Sequence, residues 1–270
     1  QNMVLVHEAY GTWMVSDEFT LRFGRGSFTF GDGTLIHGND WEATPYAFEG
    51  ALGTYEMEAG RLSGFFVRFA EFEAIGETDQ DAETNAVGLT YSHKTLPEFL
   101  NRADLHLIKH NSAFTTAADG QDMLRYGVSL GGDVDMIDWR AVYNAHTGEY
   151  HDGTTTAIDG NGNMMEAEIG GNFEEFMKSR VYVLYHQDTG NDGASATENS
   201  TYQSYFYDKH YNAGLMDVLG WGNLTQISVG YTLEPVDATT VGLHYHMFSK
   251  TEEAGAYVTG LNGALITGND

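Results

Sequence analysis

A single stretch of chain, residues 226–247, shows the pattern that most constrains the fold. Apolar side chains occupy every second position of QISVGYTL, namely Ile227, Val229, Tyr231 and Leu233. After a turn at 235–238 the alternation resumes with Val241, Leu243, Tyr245 and Met247. Successive side chains of a strand point to opposite sides, so this pattern predicts a β-hairpin with one apolar face.

The same alternation recurs along the chain in unusually long runs. We predict strands at 3–15, 18–30, 47–57, 62–73, 85–93, 102–111, 122–131, 135–147, 163–174, 179–188, 225–234 and 239–249. Strands of soluble proteins are most often about 5–6 residues long, and these runs are longer. A tilted strand needs about 9–11 residues to cross a bilayer, so the lengths favour transmembrane strands.

The connections between these runs alternate between short and long. Short ones are predicted at 16–17, 58–60, 95–98, 132–133, 175–178 and 235–238, and long ones at 31–46, 74–84, 112–121, 148–162 and 189–224. Outer-membrane barrels place short periplasmic turns at one rim and long external loops at the other. A soluble sandwich has no reason to sort its loops in this way, so the apolar faces are expected to meet lipid.

Together these patterns predict an all-β fold. We expect a single transmembrane domain over 1–270, an antiparallel up-and-down β-barrel of about 12–16 strands with long external loops and short periplasmic turns. Residue 16 would lie at a periplasmic turn, so the first and last predicted strands would both reach the external rim. Either terminal strands are missing from this chain, which we favour, or the first strand assignments are shifted.

The composition excludes several other functions. A net charge of −26 at pH 7 opposes nucleic-acid binding, which needs a basic surface. The chain has no cysteine, so it offers no disulfide and no thiolate for metal or nucleophilic chemistry. It also has no run of about 20 apolar residues for a membrane helix. No nucleophile elbow, phosphate loop or zinc-protease motif occurs, so we expect no enzyme activity and no cofactor.

Three segments resemble the alginate-export family of outer-membrane proteins. They are LRFGRGSFTFGDGTLIHGNDW (21–41), YAFEGALGTYEMEAGRLSGFFVRFAEFE (46–73) and GLMDVLGWGNLTQISVGYTLEPVDATTVGLHYHMF (214–248). The resemblance implies a barrel in the bacterial outer membrane, bordered by lipid and lipopolysaccharide, that passes a hydrophilic solute as a monomer or homo-oligomer. For alginate exporters it also implies an Arg-rich pore, whereas this chain has 13 Lys plus Arg against 39 Asp plus Glu.

The polar side of the predicted strands supplies the candidate pore-lining residues. These are Arg22, Arg68, Asp104, Arg125, Asp138, Arg140, Glu166, Glu168, Arg180, His186, His244 and His246. An Arg that faces mid-bilayer lipid costs about 2–4 kcal/mol, so these side chains are expected to face the lumen. Two interpretations stay open: a solute filter, or an ion-pair lattice that only stiffens the wall by about 0.2–1 kcal/mol per pair.

Histidines and one glycine-rich segment raise the question of a metal. Six histidines share the polar side, where they would titrate near pH 6.5: His106, His110, His146, His186, His244 and His246. A metal pair at His244 and His246 is conceivable, but a polar lumen role is commoner. Asp159, Asn161 and Asn163 are spaced like the start of a calcium loop. The twelfth position of that loop lacks Glu, so we expect a flexible loop tip and no metal.

The leading functional expectation is a passive outer-membrane pore for small hydrophilic solutes or ions. Acidic residues concentrated in 73–84 would draw cations to its mouth, although they could equally form a solvated rim. One alternative is an exporter of an anionic, alginate-like polysaccharide, and another is a soluble all-β protein that binds or cleaves glycans. A third is a barrel plugged by its own loop 189–224 that acts as an adhesin or scaffold.

Overall fold

The structure is a computed structural model, and it describes most of the chain. The described residues are 6–30, 33–41, 45–69, 84–97, 99–112, 120–151, 156–204, 208, 210, 214, 218–258 and 265–266. The start of the strand predicted at 3–15, the end of the strand predicted at 62–73 and nearly all of the loop 74–84 lie outside these residues. No helix of the described residues is long and apolar enough to cross a membrane.

Twelve long strands form the body of the molecule, close to the predicted positions. They are β1 (Ala9–Met14), β2 (Phe19–Gly26), β3 (Phe48–Glu56), β4 (Gly60–Phe69), β5 (Thr84–His93), β6 (Arg102–Ser112), β7 (Gln121–Val134), β8 (Ile137–Tyr150), β9 (Ile158–Phe173), β10 (Ser179–Asp188), β12 (Leu224–Val236) and β13 (Thr239–Lys250). Three two-residue strands accompany them in the described ranges: β11 (Glu198–Asn199), β14 (Tyr257–Val258) and β15 (Leu265–Ile266).

Each long strand pairs antiparallel with its neighbour along the chain. The order in the sheet is β1-β2-β3-β4-β5-β6-β7-β8-β9-β10-β12-β13, and β11 leaves this path by pairing parallel with β9. The short strands β14 and β15 form a separate pair. The predicted all-β, antiparallel up-and-down fold is therefore confirmed, with β1 and β13 at the two ends of the described ladder.

Connections of two to five residues alternate with longer ones along most of the sheet, as predicted. The short ones are 15–18, 57–59, 135–136, 174–178 and 237–238, and the long ones are 27–47, 70–83, 113–120, 151–157 and 189–223. The connection predicted as a short turn at 95–98 spans 94–101 and is as long as 113–120. The turn predicted at 132–133 lies instead at 135–136, because Asp133 and Val134 continue the β7–β8 ladder. Asp135 has a positive φ of 52°, which suits a two-residue hairpin turn.

The glycine-rich segment 159–163 is a strand, so the expectation of a flexible loop tip or calcium loop there is wrong in its geometry. Asp159, Asn161 and Asn163 lie on β9 and pair with β8, an extended course that does not wrap an ion. The glycine between the two asparagines serves a close approach. A Cβ at Gly162 would lie 2.7 Å from the Cα of Tyr202, so a larger residue would push away the chain segment that packs there.

The outer face of the sheet is apolar and exposed. Its exposed side chains include Val87, Leu89, Leu105, Leu107, Tyr126, Tyr143, Ile169, Val181, Val183, Ile227, Val229, Leu243 and Tyr245. They lie in rows across neighbouring strands; Tyr185, Ile227 and Met247, for example, are direct cross-strand partners. An exposed apolar surface that runs across this many strands is typical of the lipid-facing band of an outer-membrane barrel.

Much of the inner face is buried by connections that pack against it. One apolar cluster joins the sheet to the 27–47 connection: Leu35, Ile36, Phe48, Phe65, Val67, Ala86 and Ile108. The same connection reaches β8, where Asn144 Nδ2 donates to Thr34 Oγ1 at 3.1 Å. Strands β3 and β8 would be about 24 Å apart in a flat sheet, and a connection that packs against both fits a sheet that curves around it.

The 189–223 connection also packs against the inner face. Its Tyr202 and Trp221 form a second buried cluster with Val142, Met164 and Leu224. The 27–47 and 189–223 connections, hereafter the β2–β3 loop and the β10–β12 loop, contact each other. Asp208 N donates to Gly33 O at 2.7 Å, and the rings of Trp41 and His210 stack with centroids 3.3 Å apart. The two loops together therefore fill part of the space enclosed by the sheet.

Candidate functional site

The inner face collects eleven of the twelve residues that strand alternation predicts to line a lumen. They are Arg22, Asp104, Arg125, Asp138, Arg140, Glu166, Glu168, Arg180, His186, His244 and His246. They come from seven strands, from β2 to β13, and the strand registers bring those on β8, β9 and β10 into direct contact. The charged side chains of these three strands form connected ion pairs.

Arg68 lies on the opposite face, and its predicted inward orientation is wrong. Phe65 and Val67 of β4 are buried on the inner face, whereas Phe66 and Arg68 are exposed on the outer face. The run Phe-Phe-Val places apolar residues on both sides of the strand, so alternation alone could not decide the face. Arg68 pairs in register with Glu49 of β3 near the long-loop rim, where a charge costs little.

Arg180 connects the acids nearest to the short-turn rim. Its Nε donates to Asp138 Oδ2 at 2.9 Å, and its Nη2 donates to Asp138 Oδ1 at 2.5 Å and to Glu168 Oε1 at 2.6 Å. Asn172 Nδ2 also donates to Asp138 Oδ2, at 2.6 Å. Gly170 leaves room for this arrangement, because a Cβ there would lie 2.7 Å from the Arg180 Cζ.

A second set of charges continues towards the long-loop rim. Arg140 Nη2 donates to Glu166 Oε1, and Glu166 Oε2 lies 3.1 Å from His186 Nδ1. His186 Nε2 lies 3.1 Å from Asp188 Oδ1. The other oxygen of Asp188 accepts the backbone N–H of Gly222 at 2.8 Å. The sheet is thus joined to the β10–β12 loop through a chain of charges.

These two sets form one ion-pair ladder on β8, β9 and β10. Its members are Asp138, Arg140, Glu166, Glu168, Arg180, His186 and Asp188. Side-chain exposure falls from 26% for Arg180 to 18% for Arg140 and 0% for His186. The ladder therefore runs from a region with open space beside it into a region sealed by the β10–β12 loop.

A cationic and imidazole-rich group covers the inner face of β6, β7 and β8. Arg125 is 4% exposed and stands directly across from His146, and His106 and His110 are also buried. His106 Nε2 lies 2.8 Å from Asn144 Oδ1, and Asn144 in turn holds the β2–β3 loop. His106 therefore belongs to the buried support of that loop, while the ring of His146 lies 5.7 Å from that of Tyr202 in the 189–223 connection.

His244 and His246 form hydrogen bonds with polar neighbours on β10 and β12. Tyr182 Oη lies 2.9 Å from His244 Nδ1, and Ser228 Oγ lies 2.7 Å from His246 Nδ1. In the part of the chain that the structure describes, no group of three His, Cys, Asp or Glu side chains could hold a metal ion.

The two remaining candidates lie apart from the ladder. Arg22 is sandwiched between Tyr10 and Phe28, with its Cζ 4.3 and 4.6 Å from the ring centroids, and it donates to Ser27 O. Asp104 accepts from Arg102 Nε at 2.7 Å. Arg22 is thus shielded by aromatic rings, which fits a structural role in the wall.

Several residues of the site were not identified from the sequence. Asp188 lies two positions after His186 and therefore on the same face, a signal that alternation did contain. Gly170 and Thr34 had no comparable signal. Their roles depend on contacts with Arg180 and Asn144 that lie far away in the chain or across the sheet. An apolar Leu-Ile pair inside a polar, glycine-rich loop was the available sign that the β2–β3 loop turns inward.

Comparison with known proteins adds a family and a fold. A family model described as alginate export matches residues 3–269, and no match was found among curated proteins. OpdK, an outer membrane protein of Pseudomonas aeruginosa, is 15% identical with a TM-score of 0.60; the match covers 93% of this chain and 66% of that one. OccK2 (OpdF) of P. aeruginosa, solved in complex with glucuronate, is 14% identical with a TM-score of 0.56, covering 88% and 63%.

A second structure of OpdK, solved with vanillate, gives a similar result, with 14% identity, a TM-score of 0.57, and coverage of 88% and 62%. This chain therefore spans less than two thirds of the length of these solved proteins. At such low identity the likeness shows a shared fold, that of an outer-membrane β-barrel. Family and fold indicate the bacterial outer membrane as the location, and the chain belongs to the alginate export family.

Proposed function

We propose that this protein is an outer-membrane channel for the passive diffusion of small hydrophilic solutes or ions. The observation that carries the proposal is the ion-pair ladder on the inner face of β8, β9 and β10. The outer face of the same strands is apolar and exposed, so the two faces meet different surroundings. Charged side chains within the membrane-spanning part of a barrel need water or opposite charges around them, and a lumen supplies the water.

Open space beside the end of the ladder near the short-turn rim supports this proposal. Arg180, Asp138 and Glu168 keep 26%, 24% and 16% of their side-chain surface exposed although they lie on the inner face. Fully packed core charges would have no such exposure. The part of the inner face near the short-turn rim therefore offers polar groups to a passing solute, while the β2–β3 and β10–β12 loops narrow the part beyond it.

The balance of charge favours small solutes over a polyanion. In the ladder the cations Arg140 and Arg180 each face at least one carboxylate, and its four acids are Asp138, Glu166, Glu168 and Asp188. A polyanion would need a continuous track of cations, whereas this wall alternates in sign. We therefore expect neutral or weakly cation-preferring passage, with outer-membrane lipid and lipopolysaccharide around a barrel that is one domain, monomeric or homo-oligomeric.

Export of an anionic polysaccharide is the second candidate, and the family membership favours it. The solved relatives favour the first, because OccK2 was crystallised with glucuronate and OpdK with vanillate, both small molecules. Catalysis has no support from either comparison, and we propose a transport role without enzyme activity.

Solute entry into proteoliposomes separates the two candidates. Swelling rates are measured with a pentose, with glucuronate and with a decameric oligouronate, and large dextran serves as the impermeant control. A diffusion channel predicts rapid swelling with the pentose, slower or equal swelling with glucuronate and none with the oligomer. Entry of the oligomer at a rate near that of glucuronate would favour the exporter, and no swelling from folded, inserted protein would contradict both.

A further inference from the structure

His186 occupies an unusual position between two carboxylates. Its Nδ1 lies 3.1 Å from Glu166 Oε2 and its Nε2 lies 3.1 Å from Asp188 Oδ1. All three side chains are at most 1% exposed. The Nδ1 contact is a hydrogen bond, whereas the Nε2 contact is an ion-pair approach without hydrogen-bond geometry. A neutral imidazole would hold a ring nitrogen without a proton close to one of the two carboxylates. Two ionised acids at these distances are balanced only when His186 is an imidazolium.

The charge count of the buried group agrees with this assignment. Arg140 donates to the second oxygen of Glu166, so the group contains two carboxylates and one guanidinium. With His186 protonated, two positive charges balance two negative charges. With His186 neutral, the group would keep one uncompensated negative charge away from water, an arrangement that buried ionic groups avoid at a cost of several kcal/mol.

The far end of this group is attached to the β10–β12 loop. Asp188 Oδ2 accepts the N–H of Gly222 at 2.8 Å. The ring of Trp221 lies 5.0 Å from that of His186, and Trp221 is 1% exposed. Further along, the backbone N–H groups of Tyr202 and Asn223 both donate to Thr189 O, the residue after Asp188. The β10–β12 loop is therefore attached at Tyr202 and at Asn223 to the residue that follows Asp188.

We propose that Glu166, His186 and Asp188 form a charged clamp that holds the β10–β12 loop inside the barrel, with His186 as the positioning residue. In the proposed channel, the loop held by the clamp would narrow the lumen. This consequence for transport rests on the proposed channel function. The groups that face His186 are Glu166 on β9, Asp188 on β10, Gln226 on β12 and Trp221 in the loop. Of these, only the two acids carry charge.

Hydrogen–deuterium exchange of the loop measures the clamp without any transport assay. The H186Q variant leaves two buried acids with one cation, so amide exchange in 218–223 and 200–204 should rise about tenfold or more. The control is H244Q, since His244 lies on the same face and contacts Tyr182 rather than a carboxylate. Its loop exchange should stay at the wild-type rate, and both variants should retain heat-modifiable migration as folded barrels.

A double variant separates charge from packing. H186Q/D188N restores a balanced pair, Arg140 and Glu166, and should return the exchange rate to within about threefold of wild type. If the role of His186 were only to fill space, the double variant would exchange at least as fast as H186Q. That result, or wild-type exchange in H186Q itself, would overturn the clamp.

The protonation of His186 offers a test that needs no variant to fold. In selectively ¹⁵N-histidine-labelled wild-type protein at pH 7, both ring nitrogens of His186 should show the shifts of an imidazolium, and a single protonated nitrogen would overturn the assignment. The exchange and NMR results are independent of current or swelling. A protein that passes no solute would therefore refute the channel while leaving the clamp supported by these two measurements.

Discussion

Arg180 shows how one side chain can join the acids of two strands. Its guanidinium donates to Asp138 on β8 and to Glu168 on β9, and Gly170 leaves the space in which it lies. The three charges are neither fully buried nor fully wetted. Their pairing should therefore contribute more than an exposed ion pair and less than a sealed one.

Replacing Arg180 by Met should destabilise the folded protein by about 2–3 kcal/mol, because two carboxylates lose their cation on the inner face. Urea unfolding of protein inserted in lipid vesicles measures the change. Arg61 is the matched control, since it pairs with Glu56 at the rim with side-chain exposures of 52% and 36%. R61M should cost less than about 1 kcal/mol, and equal losses in the two variants would contradict the account.

Gly170 and Gly171 are adjacent on β9 but differ in the space around them. A Cβ at position 170 would lie 2.5 Å from Arg180 Nη2, whereas a Cβ at Gly171 would meet only the Phe173 ring, at 3.6 Å. G170A should therefore displace the guanidinium, cost about 1–3 kcal/mol and change single-channel conductance. G171A should stay within about 0.5 kcal/mol with wild-type conductance. The account fails here if the two variants behave alike.

The β2–β3 loop packs against the inner face of the sheet through two buried aliphatic side chains. Leu35 and Ile36 are each 1% exposed, and each buried aliphatic side chain contributes about 1.5–3 kcal/mol. Their burial holds this connection against β3 to β6, and Thr34 attaches it to β8. The loop is thereby part of the wall that a solute would pass.

Removing the two apolar anchors should release this loop. In L35S/I36S we expect a higher single-channel conductance and faster proteolysis within the loop, while the barrel keeps its β-sheet circular dichroism. V218S is the control, because Val218 belongs to the other loop and is 52% exposed. Unchanged conductance and protease resistance in L35S/I36S would show that Leu35 and Ile36 do not hold the loop.

The strands were predictable from the sequence to a degree that the site was not. In a strand that separates lipid from an interior, alternate side chains differ in polarity, so β5, β10 and β13 could be located within about two residues. Alternation failed at β4, where Phe65 and Phe66 are apolar on both sides, and at 159–163, where glycines imitate a turn. In both places tertiary packing decided the outcome, and a single sequence does not display it.

The faces of the ladder residues were predictable, but their partners were not. Strand alternation placed Asp138, Arg140 and Glu166 inward, whereas their pairing depends on how far β8, β9 and β10 are shifted relative to one another. Register of that kind follows from the lengths of the connections, and the one between β8 and β9, observed at 151–157, was predicted at 148–162. The contact between Asp188 and Gly222 involves a long loop whose path no local pattern specifies.

The two faces of the curved sheet are suited to two different surroundings, lipid on the outside and a polar interior on the inside. The outer face carries exposed Val, Leu, Ile and Tyr side chains along β4 to β13, and the inner face carries the ladder and the two loops. This division is the physical content of an outer-membrane barrel. It also predicts how a misplaced charge should behave at different depths.

Leu243 and Thr239 both lie exposed on β13, the first near the middle of the strand and the second at its end. An Arg at position 243 should cost about 2–4 kcal/mol because it would face mid-bilayer lipid, and an Arg at 239 about 0–1 kcal/mol. Urea unfolding in vesicles measures both variants. Equal costs would mean that the outer face of β13 does not cross the bilayer.

The most direct test of the central claim, a lumen lined by the ladder, is the reversal potential of single channels in a planar bilayer under a salt gradient. The account predicts steady channels with neutral or weakly cation-preferring selectivity. In D138N/E168Q, which removes two anions beside Arg180, the potential should shift towards anions, and E56Q at the rim should leave it unchanged. Folded, inserted protein that passes no current, or a potential insensitive to D138N/E168Q, would contradict the account.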